Sequence, residues 1–191
     1  MKKRLAIFAS GTGSNAVNFI EYFKNNTDIE VALVLSNNNE APVLQKAESL
    51  GVETIAITNS AAANGGFMVT LMASYNIHFI VLAGYLRFIP KALITEYNGN
   101  MVNIHPSLLP KYGGKGMYGS KVHQAVIDNN ETESGITIHL VNEIYDDGEV
   151  VFQTKVGLVD EETPESLAQK VHQLEHEHFP KVVEQLVSNI E

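Results

Sequence analysis

The chain has 191 residues, 45% of them hydrophobic and 18% charged, enough for one domain with a substantial core. Thirteen Lys and Arg against 22 Asp and Glu give a formal charge of −9, which argues against a general nucleic-acid binder, because phosphate neutralisation needs a basic face. Cysteine is absent, which excludes disulfides and thiolate metal sites, and no apolar run is long enough to cross a bilayer.

The first residues, MKKRLAIFASGTG, combine a basic start with a short apolar stretch. The stretch runs straight into a glycine-rich turn, which fits a buried first strand better than a secretory leader, so a cytoplasmic protein is expected. RLAIFA (4–9) reads as that strand, followed by a helix over about 15–24. VALVLS (31–36) precedes a helix over 42–50, and ETIAI (53–57) a helix near 67–75. FIVLA (79–83) and MVNI (101–104) continue the series, with a short helix over 90–97 between them. Apolar, β-branched runs without strict alternation suit strands covered on both faces. The βαβα order predicts an α/β fold, an open, mostly parallel, twisted sheet with helices on both faces.

After Gly113 the pattern changes. A helix over 120–128 leads to SGITIHLV (134–141) and EVVFQTKV (149–156), joined by the acidic NEIYDDG. That connection suits a hairpin-like pair of strands. From Thr163, an N-cap followed by Pro164 at the first helical position, one long amphipathic helix or two in succession complete the sequence.

Several constellations carry chemistry. FASGTGSNA (8–16) contains Gly11-x-Gly13-x-x-Ala16, the permissive dinucleotide fingerprint. The acid that would hold a ribose after the second strand is replaced by SNNN (36–39). Ser14 and Asn15 at a helix N-terminus therefore point to a phosphate rather than NAD, with a plain capped turn as the alternative. HQLEH (172–176) matches the zinc pattern H-x-x-E-H but lies in a polar run without a third ligand, so a solvated helix face and no metal are expected. Asp146 and Asp147, beside Gly148, read by themselves as a turn. His78, His123 and His139 are expected to be structural or surface residues. Arg87, after LAGYL, ends a strand where ligands of open α/β sheets bind, a surface charge being the plain alternative.

Asn103 and His105 lie two apart on a strand, so they share a face, and Pro106 stops the strand at once. An amide donor for an oxyanion beside an imidazole acid–base group fits a catalytic pair. On spacing alone, an Asn and His hydrogen-bonded into a loop fits as well.

Asn103 with IHPSLLP, SGTGSN after the first strand, VLAGYLR (81–87) and IYDDG before a strand together resemble the phosphoribosylglycinamide formyltransferases, folate-dependent formyltransferases of purine biosynthesis. The resemblance runs from about residue 4 to 187. Methionyl-tRNA formyltransferases and formyl-folate hydrolases share this core but add a domain. The resemblance implies one formyltransferase domain over 1–191, its phosphoribosyl-substrate half at about 1–100 and its formyl-folate and catalytic half at about 80–191.

It further implies that Asn103, His105 and Asp146 are catalytic, with Asp146 keeping a protonated His105 charged and oriented. Gly13, Ser14 and Asn15 would bind the substrate phosphate and Glu175 its ribose. Leu86, Arg87, Phe88 and Ile89 would bind formyl-folate, together with Asn103, Asn142, Glu143, Ile144, Tyr145 and Asp146. The implied co-substrate is 10-formyltetrahydrofolate and the acceptor 5-phosphoribosylglycinamide, with no metal, no nucleic acid and no membrane, in a monomer or homodimer. Other readings are formyl transfer to another small amine, such as an amino sugar nucleotide, and a non-catalytic nucleotide-binding module. Two segments depart from the family pattern. GGKGMYGS (113–120) is longer and richer in glycine than usual, and Asn64 stands near the position of a basic folate contact.

Overall fold

Leu5, Ala6, Ile7 and Phe8 in β1 (Lys3–Phe8) are fully buried, so both faces of this strand are covered. The computed structural model, which describes residues 2–190, shows what covers them. After β1 come α1 (Ser14–Phe23), β2 (Ile29–Ser36), α2 (Pro42–Ser49), β3 (Glu53–Ala56), α3 (Asn59–Ala62) and α4 (Gly65–Ser74). There follow β4 (Phe79–Leu82), α5 (Lys91–Glu96), β5 (Met101–His105), α6 (Ser120–Asp128), β6 (Glu133–Leu140), β7 (Val150–Gly157) and α7 (Pro164–Ser188).

The strands form one sheet in the order β3-β2-β1-β4-β5-β6-β7. The pairs β3–β2, β2–β1, β1–β4 and β4–β5 are parallel, whereas β5–β6 and β6–β7 are antiparallel. Leu5 and Ile7 pack with Phe19 of α1 and Phe179 and Val183 of α7. Ala6 and Phe8 face the other way, onto Met68 and Met72 of α4 and Leu93 of α5. Each fully buried aliphatic or aromatic side chain contributes about 1.5–3 kcal/mol. The chain winds out from β1 to β3 and returns at β4, which opens a crevice at the carboxyl ends of β1 and β4. The expected open, mostly parallel sheet with a closing pair of antiparallel strands is the fold observed.

The structure adds two features. NSAAAN contains α3, whose start is capped by the Thr58 hydroxyl accepting from Ala61 N at 3.1 Å. The C-terminal segment is one helix of 25 residues, although Pro180 lies inside it. A proline cannot donate to the carbonyl four residues earlier, which is that of His176. Asn18 Nδ2 on α1 donates to that carbonyl at 2.9 Å, so α1 supplies the bond the proline removes. Among the described residues no helix is long and apolar enough to cross a membrane.

Candidate active site

A cavity of about 710 Å³ opens over the carboxyl ends of β1, β4 and β5. Gly13, Ser14 and Asn15 line one end of it, Leu86 to Ile89 with Asn142, Ile144 and Tyr145 line the other, and Asn103, His105 and Asp146 lie between.

At the first end the turn enters α1 through Gly13, in the left-handed region at φ 71°, with no side-chain cap and no acid in the first helical turn. The amides of Ser14 and Asn15 thus face the cavity end uncapped, beside the positive pole of the helix. Glu175 of α7 closes this end. Its Oε2 accepts from Asn15 Nδ2 at 2.9 Å and contacts His172 Nδ1 at 3.3 Å. The bond to Glu175 lifts the His172 imidazole above its ordinary value. HQLEH is therefore not a solvated face: Glu175 turns inward with 14% of its side chain exposed, because α7 packs against α1. Asn15 Oδ1 and His123 Nδ1, both buried, have no hydrogen-bond partner among the described residues.

The middle is built on β5 and its antiparallel neighbour. Asn103 pairs with His139 across the ladder, which brings the two side chains onto one face. His139 Nδ1 lies 2.9 Å from the Leu140 carbonyl, an acceptor only, so that nitrogen carries the proton. Nε2 lies 3.1 Å from Asn103 Nδ2, from which a neutral ring accepts, and 3.5 Å from Asp146 Oδ1, to which a charged ring donates. The Asn103 amide also donates to Asp146 Oδ1 at 3.3 Å. His105 Nε2 lies 2.7 Å from the Tyr112 carbonyl and Nδ1 3.4 Å from Asp146 Oδ2. Gly114 N donates to the same carboxylate oxygen at 2.8 Å.

Both groups that hold His105 sit in the left-handed region, Tyr112 at φ 56° and Asp146 at φ 54°. A bulky residue with positive φ is uncommon and is kept only where the surroundings demand it. Burial pushes Asp146 up, but His139, His105 and the Gly114 amide outweigh it and hold the carboxylate below its ordinary value. For His105 burial wins: it pushes the imidazole below its ordinary value despite the opposing pull of Asp146 and the Tyr112 carbonyl. Burial thus works against the protonated His105 that the family resemblance implies, and Asp146 works for it. Asp147 is exposed, so Asp146 is the inward acid of the pair. The turn that carries them is pressed onto β6, where a Cβ on Gly148 would lie 1.6 Å from the Leu140 carbonyl oxygen.

The other end is apolar and open. Leu86, Phe88, Ile144 and Tyr145 are 44–63% exposed, and the Phe88 and Tyr145 rings meet edge to face at 5.3 Å. Arg87 lines the cavity. Glu143 does not: it pairs with Lys91 at 2.9 Å. Asn64 lies outside the lining and instead caps α4, accepting from Phe67 N at 3.0 Å. Ser10 joins the ends, accepting from Leu86 N at 2.9 Å and donating to Asn37 Oδ1 at 2.6 Å.

Two groups of lining residues carry no assigned role in the sequence. His139 and His123 were expected to be structural or surface residues, and only their places in the fold bring them to the cavity. Residues 114–120 also line it, and their glycine content was the one signal in the sequence. His78 is structural as expected, its Nδ1 accepting from Arg4 N at 3.0 Å.

A doubly wound α/β sheet with an amide, an imidazole and a carboxylate at its switch point defines a broad class of small-molecule proteins. Within that class this chain belongs to the formyl transferase family, whose model matches residues 3–183. The phosphoribosylglycinamide formyltransferase of Bacillus subtilis (strain 168) is 33% identical over 190 residues, 97% of this chain and 95% of the relative. The chloroplastic phosphoribosylglycinamide formyltransferase of Arabidopsis thaliana is 37% identical over 95% of this chain. The chain spans 64% of that protein's length and 61% of a similar one from Vigna unguiculata. The crystal structure of phosphoribosylglycinamide formyltransferase from Bacillus halodurans superposes with a TM-score of 0.88 at 34% identity, covering 99% of this chain and 97% of that one.

Proposed function

We propose that this protein transfers the formyl group of 10-formyltetrahydrofolate to the amine of 5-phosphoribosylglycinamide, a step of de novo purine biosynthesis. The observation that carries this reading is the convergence of Asn103, His105 and Asp146 between a cavity end of uncapped amides and one of exposed apolar side chains. A phosphoribosyl group suits the first end, where the amides of Gly13, Ser14 and Asn15 meet its phosphate and Glu175 its ribose hydroxyls. The flat rings of a folate suit the second, with Leu86, Arg87, Phe88 and Ile89 on one side and Asn142, Ile144 and Tyr145 on the other.

The glycinamide amine attacks the formyl carbon and forms a tetrahedral intermediate. The Asn103 amide keeps its contact with His139 and exchanges its longer, 3.3 Å bond to Asp146 for one to the developing oxyanion, a contribution worth about 10²–10³ in rate. A neutral His105 takes up the proton that the amine releases. Asp146 then compensates the new imidazolium, which returns the proton to the departing folate nitrogen. None of these steps calls on a metal. Action on small molecules, as a monomer or homodimer in the cytoplasm, belongs to the same reading.

The test is an absorbance assay with both substrates and purified protein. Production of tetrahydrofolate only when 5-phosphoribosylglycinamide is present supports the assignment. Turnover with a different amine and none with this one overturns it, and no turnover with any amine leaves a binding module.

A further inference from the structure

The turn between β1 and α1 is held from behind by α2. Val43 N donates to the Gly11 carbonyl at 3.3 Å, and the Lys46 ammonium donates to the Thr12 carbonyl at 2.8 Å. Residues 43 and 46 are three apart on a helix and so present to the same side. In a trans peptide the carbonyl and the following amide point in opposite directions. With the Gly11 and Thr12 carbonyls turned toward α2, the amides of Thr12 and Gly13 point away from it, toward the cavity these residues line. Among the described residues neither amide has an acceptor. The contact is close: a Cβ on Gly13 would lie 2.2 Å from Val43 Cγ2. The turn itself, residues 9–16, contains no lysine or arginine, so the cation that touches it comes from another element.

We propose that Lys46 is the positioning residue of an anion cradle made by residues 12–15. Its ammonium fixes the Thr12–Gly13 peptide with the N–H inward and places a positive charge behind the donors. It thereby sets the affinity for a phosphate monoester that it never touches. The inference rests on the reading of Gly13–Asn15 as the phosphate-binding turn. Because Lys46 is exposed, water moderates the effect.

The experiment uses Lys46→Met, Lys46→Arg and Ser14→Asp in the full chain, with melting curves as a folding control. Calorimetry measures 5-phosphoribosylglycinamide and the dephosphorylated ribosylglycinamide, and steady-state kinetics measures KM and kcat. Lys46→Met is expected to raise Kd and KM for the phosphorylated ligand about 3- to 10-fold, the scale of a solvent-exposed charged hydrogen bond. The dephosphorylated ligand, kcat and folate affinity stay unchanged, and Lys46→Arg restores most of the loss. Equal weakening of both ligands by Lys46→Met, or a fall in kcat alone, overturns the inference. Ser14→Asp sets a carboxylate at the start of α1, where it suits the helix but repels a phosphate. Loss of the phosphorylated ligand in Ser14→Asp with Lys46→Met unchanged removes the role of Lys46 and keeps the turn. An unaffected Ser14→Asp removes the phosphate reading and the inference with it.

Discussion

The two ends of the cavity are built from different material. The α1 end is lined by backbone amides and buried polar side chains, two of whose atoms, Asn15 Oδ1 and His123 Nδ1, have no partner among the described residues. The opposite rim is lined by apolar side chains such as Ile144, 63% exposed. A buried polar atom without a partner costs free energy until a ligand supplies one, so the first end is selective and tolerates few shapes. An exposed apolar rim gains by removing area from water, which rewards size more than pattern. On the proposed function the chemistry sits at the seam, so each end should be open to damage without the other.

The largest effect tests the seam. Asn103→Ala and His105→Ala are each expected to lower kcat by about 10²–10³ while the affinities for both ligands and the melting temperature change little. If either change instead abolishes binding of one ligand, that residue belongs to an end and the division into ends and seam is wrong.

Next comes the carboxylate. Asp146→Asn keeps the shape but removes the charge that favours a protonated His105. NMR titration is expected to find the His105 pKa below 6.5 in the parent and lower still in Asp146→Asn, with a steep fall in rate. Asp147→Asn changes neither. A His105 pKa above 6.5 in the free protein contradicts the neutral resting state.

The ends are separated by a pair of milder changes. Phe88→Ala removes one ring of the edge-to-face pair and is expected to weaken formyl-folate about 10-fold, leaving the phosphoribosyl substrate alone. Ser14→Ala reverses the pattern, weakening the phosphoribosyl ligand by about 3-fold. Calorimetry with each ligand decides, and equal effects on both ligands break the comparison.

The smallest effect is on stability. Burial lowers the pKa of His78, His105, His123 and His176 in the folded state. Below pH 6.5 the unfolded chain binds protons that these rings refuse, so stability falls as pH drops from 6.5 through their lowered values. His172, lifted by Glu175, works in the opposite direction. Urea midpoints between pH 7.5 and 5.5 measure the balance, and a midpoint that rises on acidification refutes it.

The fold was legible because its first five strands are short apolar runs separated by helical segments, and because Thr163-Pro164 marks a helix start. Asn103 and His105 were legible through the two-residue period of a strand. Asp146 and Glu175 were not, by spacing: they lie 43 and 72 residues beyond Asn103, and only their resemblance to a family singled them out. His139 was missed because its importance comes from ladder register, Asn103 opposite His139, and register between distant strands leaves no local mark. The burial that works against a charged His105 was not legible for a similar reason. A neighbouring carboxylate can be inferred from a motif, but the depth of burial that outweighs it follows from the whole fold.

Gly148 carries a consequence for how this sequence can drift. Its missing side chain lets the Asp146–Asp147 turn lie against Leu140, and a single methyl group there would meet the Leu140 carbonyl oxygen. The residue touches no ligand and titrates nothing, so a survey of substitutions scored by chemistry would pass it over. Scored by activity, it would stand out as an intolerant position between two permissive neighbours, since Asp147 and Glu149 are both exposed. The inward carboxylate of Asp146 is thus hostage to an atom that the glycine lacks.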